Sequence, residues 1–230
     1  MTVDVIIPVY NGSRFVARAV ASVLDQRVPV VVHCVDDGSS DDSVAVLESL
    51  AASDDRVTLH RSAVNAGVAA ARNRAILAGT APFVAFLDQD DEWMPGKLEV
   101  QLAALAARPG VGWVVGHQRM VLEAGAVRPA WCRPEWLDGP QMGFLPGTLL
   151  ARREAFLAVG LFDETLLNGG DDTDWFARAR RSGVAGELLD DVVLRRWVHE
   201  RNGSSNPRTN DDLLALVRRH ATERRTSGER

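Results

Sequence analysis

Residues 83–95 read Phe-Val-Ala-Phe-Leu-Asp-Gln-Asp-Asp-Glu-Trp-Met-Pro, an apolar run followed directly by acidic residues. An apolar run without polar alternation, such as 83–87, predicts a strand buried on both faces, as in a parallel sheet. Ligands of open α/β sheets bind beyond the carboxyl ends of the strands, where Asp88 and Asp90 follow. Their carboxylates lie on the same side of an extended chain and can share a divalent cation that keeps positions open for phosphate oxygens. The competing interpretation is an acidic turn that ends the strand and caps the next helix.

Strands and helices alternate along the first half of the chain. Strands are predicted at residues 3–9, 28–35, 56–60 and 83–87. Between them we predict a helix capped by Ser13, a helix capped by Asp41 that runs to about residue 52, and a helix over Val68–Ala78. This βαβ spacing predicts an α/β fold with a Rossmann-like, mostly parallel sheet flanked by helices on both faces. No linker, internal repeat or low-complexity tract interrupts the sequence, so we expect a single domain.

The second half of the chain is less regular. The pattern predicts a helix to residue 107, a strand at 110–116, a helix at 153–159, a helix at 171–181, a strand at 192–198 and a terminal amphipathic helix. Between residues 118 and 143 it breaks up, which indicates a hairpin or a long loop over the sheet, and such loops are usually functional. Trp131 and Trp136 are expected to pack within this loop, or to stack on the face of a sugar.

Composition and charge exclude several classes of protein. The chain is 46% hydrophobic and 25% charged, with a formal net charge of −5. This negative charge does not indicate electrostatic binding to nucleic acid. Cys34 and Cys132 are too few for a disulfide framework, which fits a reducing cytoplasm. No apolar stretch approaches the ~20 residues that span a bilayer, and no secretory leader precedes the first strand. We expect a soluble, cytoplasmic protein, or one that lies peripherally at the inner face of a membrane.

Four polar clusters each follow an apolar strand: Pro8 to Asn11, Asp36 to Ser39, Asn65 to Gly67 with Arg72, and Asp88 to Asp91. The carboxyl ends of parallel strands meet at one edge of a sheet, so these clusters should converge in space. Such a rim suits a nucleotide, with Asp37 accepting hydrogen bonds from a base or ribose and Arg72 lying against a base or phosphate. The alternatives are a helix-capping turn for the aspartate pair and a solvated helix position for Arg72.

The common phosphate-binding loops are missing, since the sequence contains no G-x-x-x-x-G-K-[ST] motif and no G-x-G-x-x-G after the first strand. The charge of a bound diphosphate must then be met by a metal ion. Mg²⁺ or Mn²⁺ bridging two phosphates also improves the leaving group, because the ion stabilises charge as the bond breaks.

A second acidic cluster, Asp171, Asp172 and Asp174, follows two glycines and opens a helix. Capping and the helix dipole explain one or two acids at a helix start, but less easily three. A carboxylate here could accept the proton of an attacking hydroxyl. His199 follows the last predicted strand, where it is either structural or, as a neutral imidazole, a ligand that completes a metal shell.

Together the motifs resemble those of the family 2 glycosyltransferases of GT-A fold. They are Val5-Ile6-Ile7-Pro8-Val9-Tyr10-Asn11-Gly12, Val35-Asp36-Asp37-Gly38-Ser39-Ser40-Asp41, Asn65-Ala66-Gly67 with Ala71-Arg72-Asn73, and Phe86-Leu87-Asp88-Gln89-Asp90-Asp91. The resemblance covers residues 3–204. It implies an inverting transferase that moves a sugar from a nucleotide diphosphate to a hydroxyl, usually with Mg²⁺ or Mn²⁺. Within one domain over 1–225 we expect a nucleotide-binding part at about 1–110, an acceptor-binding part at about 111–205 and a helix at 209–225, followed by a frayed tail at 226–230.

The resemblance also implies roles for single residues. Pro8 and Tyr10 would line the pocket of the nucleotide base, Asp37 would contact that base with Asp36 beside it, and Arg72 would touch the nucleotide. Asn65 and Gln89 would belong to the same donor site, and Asp88 would bind the ribose or the donor sugar. Asp90 would hold the metal with His199, and Asp172 would be the catalytic base, paired with Asp171. A glutamate is commoner in the family at the position of Asp171. Residues 118–145 would cover the acceptor.

The identity of the acceptor is not determined, since a glycan, a lipid-linked sugar, a peptide or a small molecule would all fit. Uridine diphosphate is expected as the sugar carrier only because it is usual in the family. Two other functions are alternatives to transfer. A nucleotidyltransferase would show a glycine-rich, basic loop after the first strand, and Pro8-Val9-Tyr10-Asn11 is not such a loop. A catalytically silent nucleotide-sugar or glycan-binding module would need no base, yet the acids that open the helix at 171 are all present.

Overall fold

Strands and helices alternate in the predicted order through the first half of the chain, over residues 3–86. The computed structural model describes residues 1–167 and 169–202. Its strands are β1 (Val3–Val9), β2 (Val30–Asp36), β3 (Val57–Arg61), β4 (Phe83–Phe86), β5 (Glu92–Trp93), β6 (Val111–Leu122), β7 (Pro140–Met142), β8 (Leu150–Arg152) and β9 (Ala185–Val198). Its helices are α1 (Val16–Leu24), α2 (Ser43–Ser53), α3 (Val68–Ala78), α4 (Lys97–Ala107), α5 (Arg153–Val159) and α6 (Asp171–Arg181), with short 3-10 turns at Pro134–Leu137 and Pro146–Thr148. The predicted helix at 209–225 and the tail at 226–230 lie outside the described residues.

The strands form one sheet in the order β3-β2-β1-β4-β8-β6-β9-β5, with β7 paired to β6. The four strands from β3 to β4 in this order are parallel. The direction reverses at β8, which is antiparallel to both β4 and β6, and β6 and β9 are again parallel to each other. The mostly parallel sheet is thus confirmed. The motif-bearing loops follow β1, β2, β3 and β4, which lie side by side.

Helices cover both faces of the sheet. Because successive residues of a strand point to opposite faces, Val5 and Ile7 lie in one core with residues of α1, α2 and α4, whereas Ile6 lies in the other with residues of α3, α5 and α6. Every residue of β4 is buried, as expected of a strand between two helical layers. The polar residues that follow these strands therefore stand on a rigid core. No described helix combines the length and the hydropathy needed to cross a bilayer.

The predicted boundaries fail where strands extend beyond their apolar pattern. Helices α3 and α6 match the prediction at both ends, but β6 and β9 run well beyond 110–116 and 192–198. Their additional residues are polar in part, and they are extended because the two strands pair with each other. The predicted hairpin is confirmed, since β6 pairs antiparallel with β7 and His117 lies beside Met142.

The loop between β6 and β7 packs on a small core of its own. Trp131 and Trp136 are half-buried against Met120, Cys132 and Val198. The interpretation of these tryptophans as loop-packing residues is therefore confirmed, and Cys132 is a free, buried thiol within the same cluster.

The prediction that Ser13 caps α1 is wrong. Helix α1 begins at Val16, and the Ser13 hydroxyl instead donates to Asp41 Oδ2 at 2.7 Å. Asp41 Oδ1 also accepts the N–H of Ser43, the first residue of α2, at 3.0 Å, but the N-cap position is Asp42, so α2 begins one residue later than a cap at Asp41 predicts. A carboxylate is a stronger acceptor than a hydroxyl, and here it draws the serine into the neighbouring loop.

Lys97, the only lysine of the chain, is buried. Its Nζ lies 4.5 Å from the centroid of the Trp93 ring and hydrogen-bonds to Gln101, and no carboxylate of the described residues pairs with it. Burial lowers the pKa of the Lys97 ammonium well below its usual range. The folded protein therefore releases this proton at a lower pH than the unfolded chain does.

We expect Lys97→Met to remove part of the pH dependence of stability. When a lysine has a lowered pKa in the folded state, the unfolded chain binds more protons, so the wild-type free energy of unfolding rises with pH up to the unfolded pKa of about 10.4. The free energy of unfolding of the wild type should therefore increase relative to that of Lys97→Met as the pH rises from neutrality towards 10. Urea denaturation across this range measures it, with Arg108→Met at an exposed position as the control. A difference that is constant with pH would contradict the buried, proton-releasing lysine.

Candidate active site

The loops after β1 to β4 meet at one edge of the sheet, where they border a cleft of about 600 Å³. The cleft wall contains most of the predicted site residues, namely Pro8, Tyr10, Asn65, Asp37, Arg72, Asp88, Gln89, Asp90, Asp171 and Asp172. The polar clusters thus converge in space, as the shared direction of the strands requires. Asp36 and His199 lie outside this wall.

Gln89 ties the loop after β4 to the loop after β1. Its Oε1 accepts the N–H of Tyr10 at 2.9 Å, and its Nε2 donates to the Tyr10 carbonyl at 3.1 Å. Gly12 leaves room for this amide, because a Cβ there would lie 2.0 Å from Gln89 Oε1. The side chain of Tyr10 stays 47% exposed at the cleft, where an aromatic ring can stack on a flat base.

The two aspartates after β2 have different surroundings. Asp37 lines the cleft, and its two oxygens accept the N–H groups of Ala66 and Gly67 at 3.0 and 2.9 Å. Asp36 is buried, and its Oδ1 accepts the N–H of Ser39 at 3.3 Å. Neighbouring strand residues point to opposite sides, so only Asp37 reaches the cleft. Asp36 thus lies outside the cleft wall, next to Asp37, and its hydrogen bond from Ser39 agrees with the capping-turn alternative.

Arg72 joins two elements of the site. Its Nη2 donates to Asp88 Oδ1 at 2.6 Å and its Nη1 to Asp171 Oδ2 at 2.7 Å. Burial opposes the charge, but these two carboxylates raise the pKa of the Arg72 guanidinium above its usual range. Arg72 is 4% exposed, so the alternative of a solvated helix position is wrong. The guanidinium links α3 to the ends of β4 and α6.

Helix α6 brings one unpaired carboxylate into the cleft. Gly169 and Gly170 precede the helix with φ of 117° and 92°, values that only glycine adopts without strain. Of the acids that follow, Asp171 is paired with Arg72, and Asp174 is buried and accepts from Arg178 Nε at 2.7 Å.

Asp172 forms no ion pair with any described residue, and its Oδ1 accepts the N–H of Thr173 at 2.6 Å. Burial, and then the neighbouring Asp171 carboxylate, raise the pKa of Asp172. A raised pKa brings a carboxylate closer to what general-base catalysis needs.

Asp90 and His199 are brought together although they are far apart in sequence. His199 Nε2 lies 3.2 Å from Asp90 Oδ2. The imidazole is buried and stacks on the Phe15 ring, with centroids 4.6 Å apart and planes at 11°. The backbone N–H of Arg201 points at its Nδ1 at 3.2 Å. His199 thus stands behind the cleft wall with its Nε2 directed at the carboxylate.

The donor set fits a hard divalent cation. A carboxylate and an imidazole are ligands that Mn²⁺ accepts, and phosphate oxygens with water commonly fill the remaining positions. Among residues 1–167 and 169–202 no group of three or more His, Cys, Asp or Glu side chains could enclose an ion. Asp88 is held by Arg72, so the expected pair of carboxylates is split and Asp90 is the one directed at His199. Any ion here would depend on the ligand's own oxygens.

Two residues of the cleft, Asn202 and Asp91, have contacts that no motif of the sequence assigns to them. Asn202 Nδ2 donates to Asp90 Oδ2 and to the Trp197 carbonyl, both at 3.0 Å, and its Oδ1 accepts the His199 N–H at 2.7 Å. Asp91 is buried, which raises its pKa well above the usual range, and it accepts the Trp197 N–H at 3.0 Å. The only available signal was the spacing of His199 and Asn202 after a strand.

We expect Asn202→Ala to weaken Mn²⁺ binding by about 10–100-fold, the usual cost of losing a group that orients metal ligands. The amide fixes both the Asp90 carboxylate and the backbone of His199, and alanine can do neither. Isothermal titration with Mn²⁺ and uridine diphosphate measures the effect. Gln141→Ala, on β7, is the control, and equal Mn²⁺ affinity in both variants would refute the orienting role of Asn202.

The sequence also matches a known family. The profile of Glycosyl transferase family 2 matches residues 4–156. The chain belongs to glycosyl transferase family 2. The matched part contains β1 to β8 and the four motifs on which the resemblance rests, and α6 and His199 lie beyond it.

Curated relatives agree with the family. The succinoglycan biosynthesis protein ExoU of Rhizobium meliloti (strain 1021) is 29% identical over 228 residues, which cover 91% of this chain and 66% of the relative. The Escherichia coli UDP-Glc:alpha-D-GlcNAc-diphosphoundecaprenol beta-1,3-glucosyltransferase WfgD is 32% identical over 121 residues, 51% of this chain and 46% of the relative. The chain therefore spans less than two thirds of the length of either relative.

Solved structures share the fold. The mannosyltransferase PcManGT from Pyrobaculum calidifontis, in complex with GDP-Man and Mn²⁺, aligns with a TM-score of 0.68 and 23% identity, covering 88% of this chain and 59% of that chain. The expected GT-A fold of this family 2 member is thereby confirmed.

Proposed function

We propose that this family 2 chain is an inverting glycosyltransferase that moves a sugar from a nucleotide diphosphate, a UDP-sugar, to an acceptor hydroxyl. The observation that carries the proposal is the cleft itself. It presents Asp172, which forms no ion pair with any described residue, together with Asp90, which His199 meets from behind the wall, and the exposed aromatic ring of Tyr10. This reaction needs a general base, a place for a cation bound to the diphosphate, and a ring that stacks on the nucleotide base.

The donor would lie across the ends of β1, β2 and β4. Pro8 and Tyr10 would border the nucleotide base, and Asp37 and Asn65 would reach the base or ribose from the opposite loop. Asp88 would meet the ribose or the sugar while Arg72 keeps its charge compensated. The E. coli relative is named for UDP-Glc, which supports uridine diphosphate as the carrier.

Divalent metal would assist through Asp90 and His199. When bound, Mg²⁺ or Mn²⁺ would stabilise the negative charge of the departing diphosphate. The Mn²⁺ in the complex of the Pyrobaculum calidifontis mannosyltransferase supports a metal at this kind of fold. Asn202 keeps the Asp90 carboxylate and His199 in place, and Phe15 holds the imidazole plane.

Asp172 would act as the base, and inversion follows from a single displacement. The acceptor oxygen attacks the anomeric carbon opposite the diphosphate, and Asp172 takes the hydroxyl proton as the new bond forms. No covalent sugar–enzyme intermediate is needed. Asp171 stays paired with Arg72 and fixes the start of the helix that carries the base.

The acceptor and the location are part of the proposal. A lipid-linked sugar is supported by the name of the E. coli relative, and a glycan, a peptide or a small molecule would use the same base. The use of nucleotide-sugar donors is consistent with a location in the cytoplasm, where the protein would be free or would lie at the inner face of a membrane.

Product analysis with a panel of nucleotide sugars and Mn²⁺ tests the proposal. Transfer releases a nucleoside diphosphate together with a glycosylated acceptor of inverted configuration. Pyrophosphate as the product would point to nucleotidyl transfer, and binding without any product would point to a silent module. Retention of the anomeric configuration would contradict the single displacement.

Asp90→Ala is expected to abolish the part of donor binding that depends on metal. The variant loses the one cleft carboxylate that, among the described residues, is directed at His199, so Mn²⁺ should no longer improve the affinity for uridine diphosphate. Calorimetry with and without Mn²⁺ measures this, and Asp190→Ala, at an exposed position, is the matched control. An undiminished response to Mn²⁺ would place the ion elsewhere.

A further inference from the structure

A second concavity lies on the other side of Phe144 from the catalytic cleft. We call it the side groove and define it by Trp113, Phe144, Arg180, Gly183, Gly186 and Glu187. Its volume is about 360 Å³. None of its residues lines the catalytic cleft, and none belongs to the motifs that place the chain in its family.

Helix α6 connects the side groove with the base. Asp172, Phe176 and Arg180 are four residues apart and therefore follow one side of the helix. The rise of ~1.5 Å per residue puts about 12 Å of helix between Asp172 and Arg180. A single sugar at Asp172 cannot reach Arg180, but a longer glycan can.

Phe144 lies between the two concavities. Its ring packs edge-on against Phe176, with centroids 5.6 Å apart and planes at 87°, and it remains 45% exposed. The next two residues, Leu145 and Pro146, line the catalytic cleft. A glycan leaving the base along α6 would therefore pass over an exposed aromatic ring.

The chemistry of the side groove suits a sugar. Arg180 is exposed and forms no ion pair with any described residue, so its donors are free for hydroxyl groups. Gly186 leaves bare backbone over the Trp113 ring, because a Cβ there would lie 1.9 Å from that ring. Aromatic surface, bare backbone and a planar group of donors are complementary to the apolar faces and hydroxyl edges of sugars.

We propose that the side groove binds the inner sugars of an acceptor oligosaccharide, whose terminal hydroxyl lies at Asp172. The assignment rests on the proposed glycosyl transfer and adds to it that the acceptor has at least two sugars. Phe144 would carry the sugar next to the reacting one, and Arg180 would hydrogen-bond the sugar beyond it.

Two measurements on Phe144→Ala and Arg180→Ala test the proposal. The first is retention of the protein, with uridine diphosphate and Mn²⁺, on immobilised homo-oligomers of glucose, galactose, mannose and N-acetylglucosamine that are one to four sugars long. The second is release of nucleoside diphosphate from the donor without acceptor. Leu77→Ala and Arg61→Ala, exposed positions on α3 and β3, are the matched controls.

We expect wild type and controls to retain oligomers of two or more sugars, and both groove variants to lose about tenfold in affinity, which corresponds to about 1.4 kcal/mol. Donor cleavage should be unchanged in both, and a cooperative thermal transition should show that both variants are folded. The proposal is overturned if monosaccharides are retained as well as trisaccharides, if the groove variants bind like the controls, or if no oligomer is retained while donor is cleaved. Failure to cleave any donor would instead refute the glycosyl transfer itself.

Discussion

Asp172→Asn is expected to lower turnover by about 10²–10⁴-fold, the usual contribution of a general base, with donor affinity nearly unchanged. Asparagine keeps the size of the side chain and can still accept the Thr173 N–H, but it cannot take a proton from the acceptor. Rates of nucleoside diphosphate release with saturating acceptor measure turnover, and calorimetry measures donor affinity. Near-normal turnover in this variant would remove Asp172 from the mechanism.

Asp174→Asn separates the base from its neighbour. Asp174 is buried and paired with Arg178, so its loss should lower stability more than turnover.

The pH dependence of turnover provides a second criterion for the role of Asp172. A general base must be deprotonated to act, so turnover should fall as the pH falls through the pKa of Asp172. Because burial raises this pKa, the acidic limb of the pH–rate profile should lie above the ordinary carboxyl range. The limb should be missing in Asp172→Asn, and its persistence there would assign it to another group.

Arg72→Met is expected to lower the free energy of unfolding by about 3–5 kcal/mol, the usual cost of removing one partner of a buried ion pair. Methionine fills part of the space but leaves Asp88 and Asp171 without their shared cation. Chemical denaturation measures the loss. Arg61→Met, which removes an exposed arginine paired with Glu48, should cost less than about 1 kcal/mol.

Compensating substitutions test the physical cause of that loss. Asp88→Asn and Asp171→Asn, added to Arg72→Met, should recover much of the stability, because the uncompensated charges disappear. Arg72→Lys should not restore the wild type, since one ammonium group cannot serve two carboxylates as the planar guanidinium does. If the compensating pair makes the variant less stable still, Arg72 acts through packing against Phe162 rather than through charge.

Arg72 has a structural role that its motif alone does not reveal. The resemblance assigns Arg72 to the nucleotide, and both of its terminal nitrogens in fact lie on carboxylates of the protein. It therefore fixes the start of α6, and with it the position of Asp172, relative to Asp88 at the end of β4. A substitution at Arg72 would change donor contacts and the position of the base together.

The sequence by itself determined the layers of the fold and the edge at which the site lies. Apolar runs such as 83–87 require burial on both faces, and the βαβ spacing makes their ends point in one direction, so Asp37 and Asp88 had to share an edge. Helices α3 and α6 were also predicted in full, because their capping glycines and helical spacing are local signals.

Only the tertiary structure decided which polar groups meet. Arg72 reaches Asp171 across 99 residues and Asn202 reaches Asp90 across 112, and nothing periodic in the sequence links them. The lengths of β6 and β9 and the insertion of antiparallel β8 were likewise set by strand pairing. Local patterns fix which face of an element is buried, whereas side-chain partners depend on the order of strands in the sheet. That order places His199 beside Asp90 and leaves Asp172 without an ion-pair partner among the residues that the structure describes.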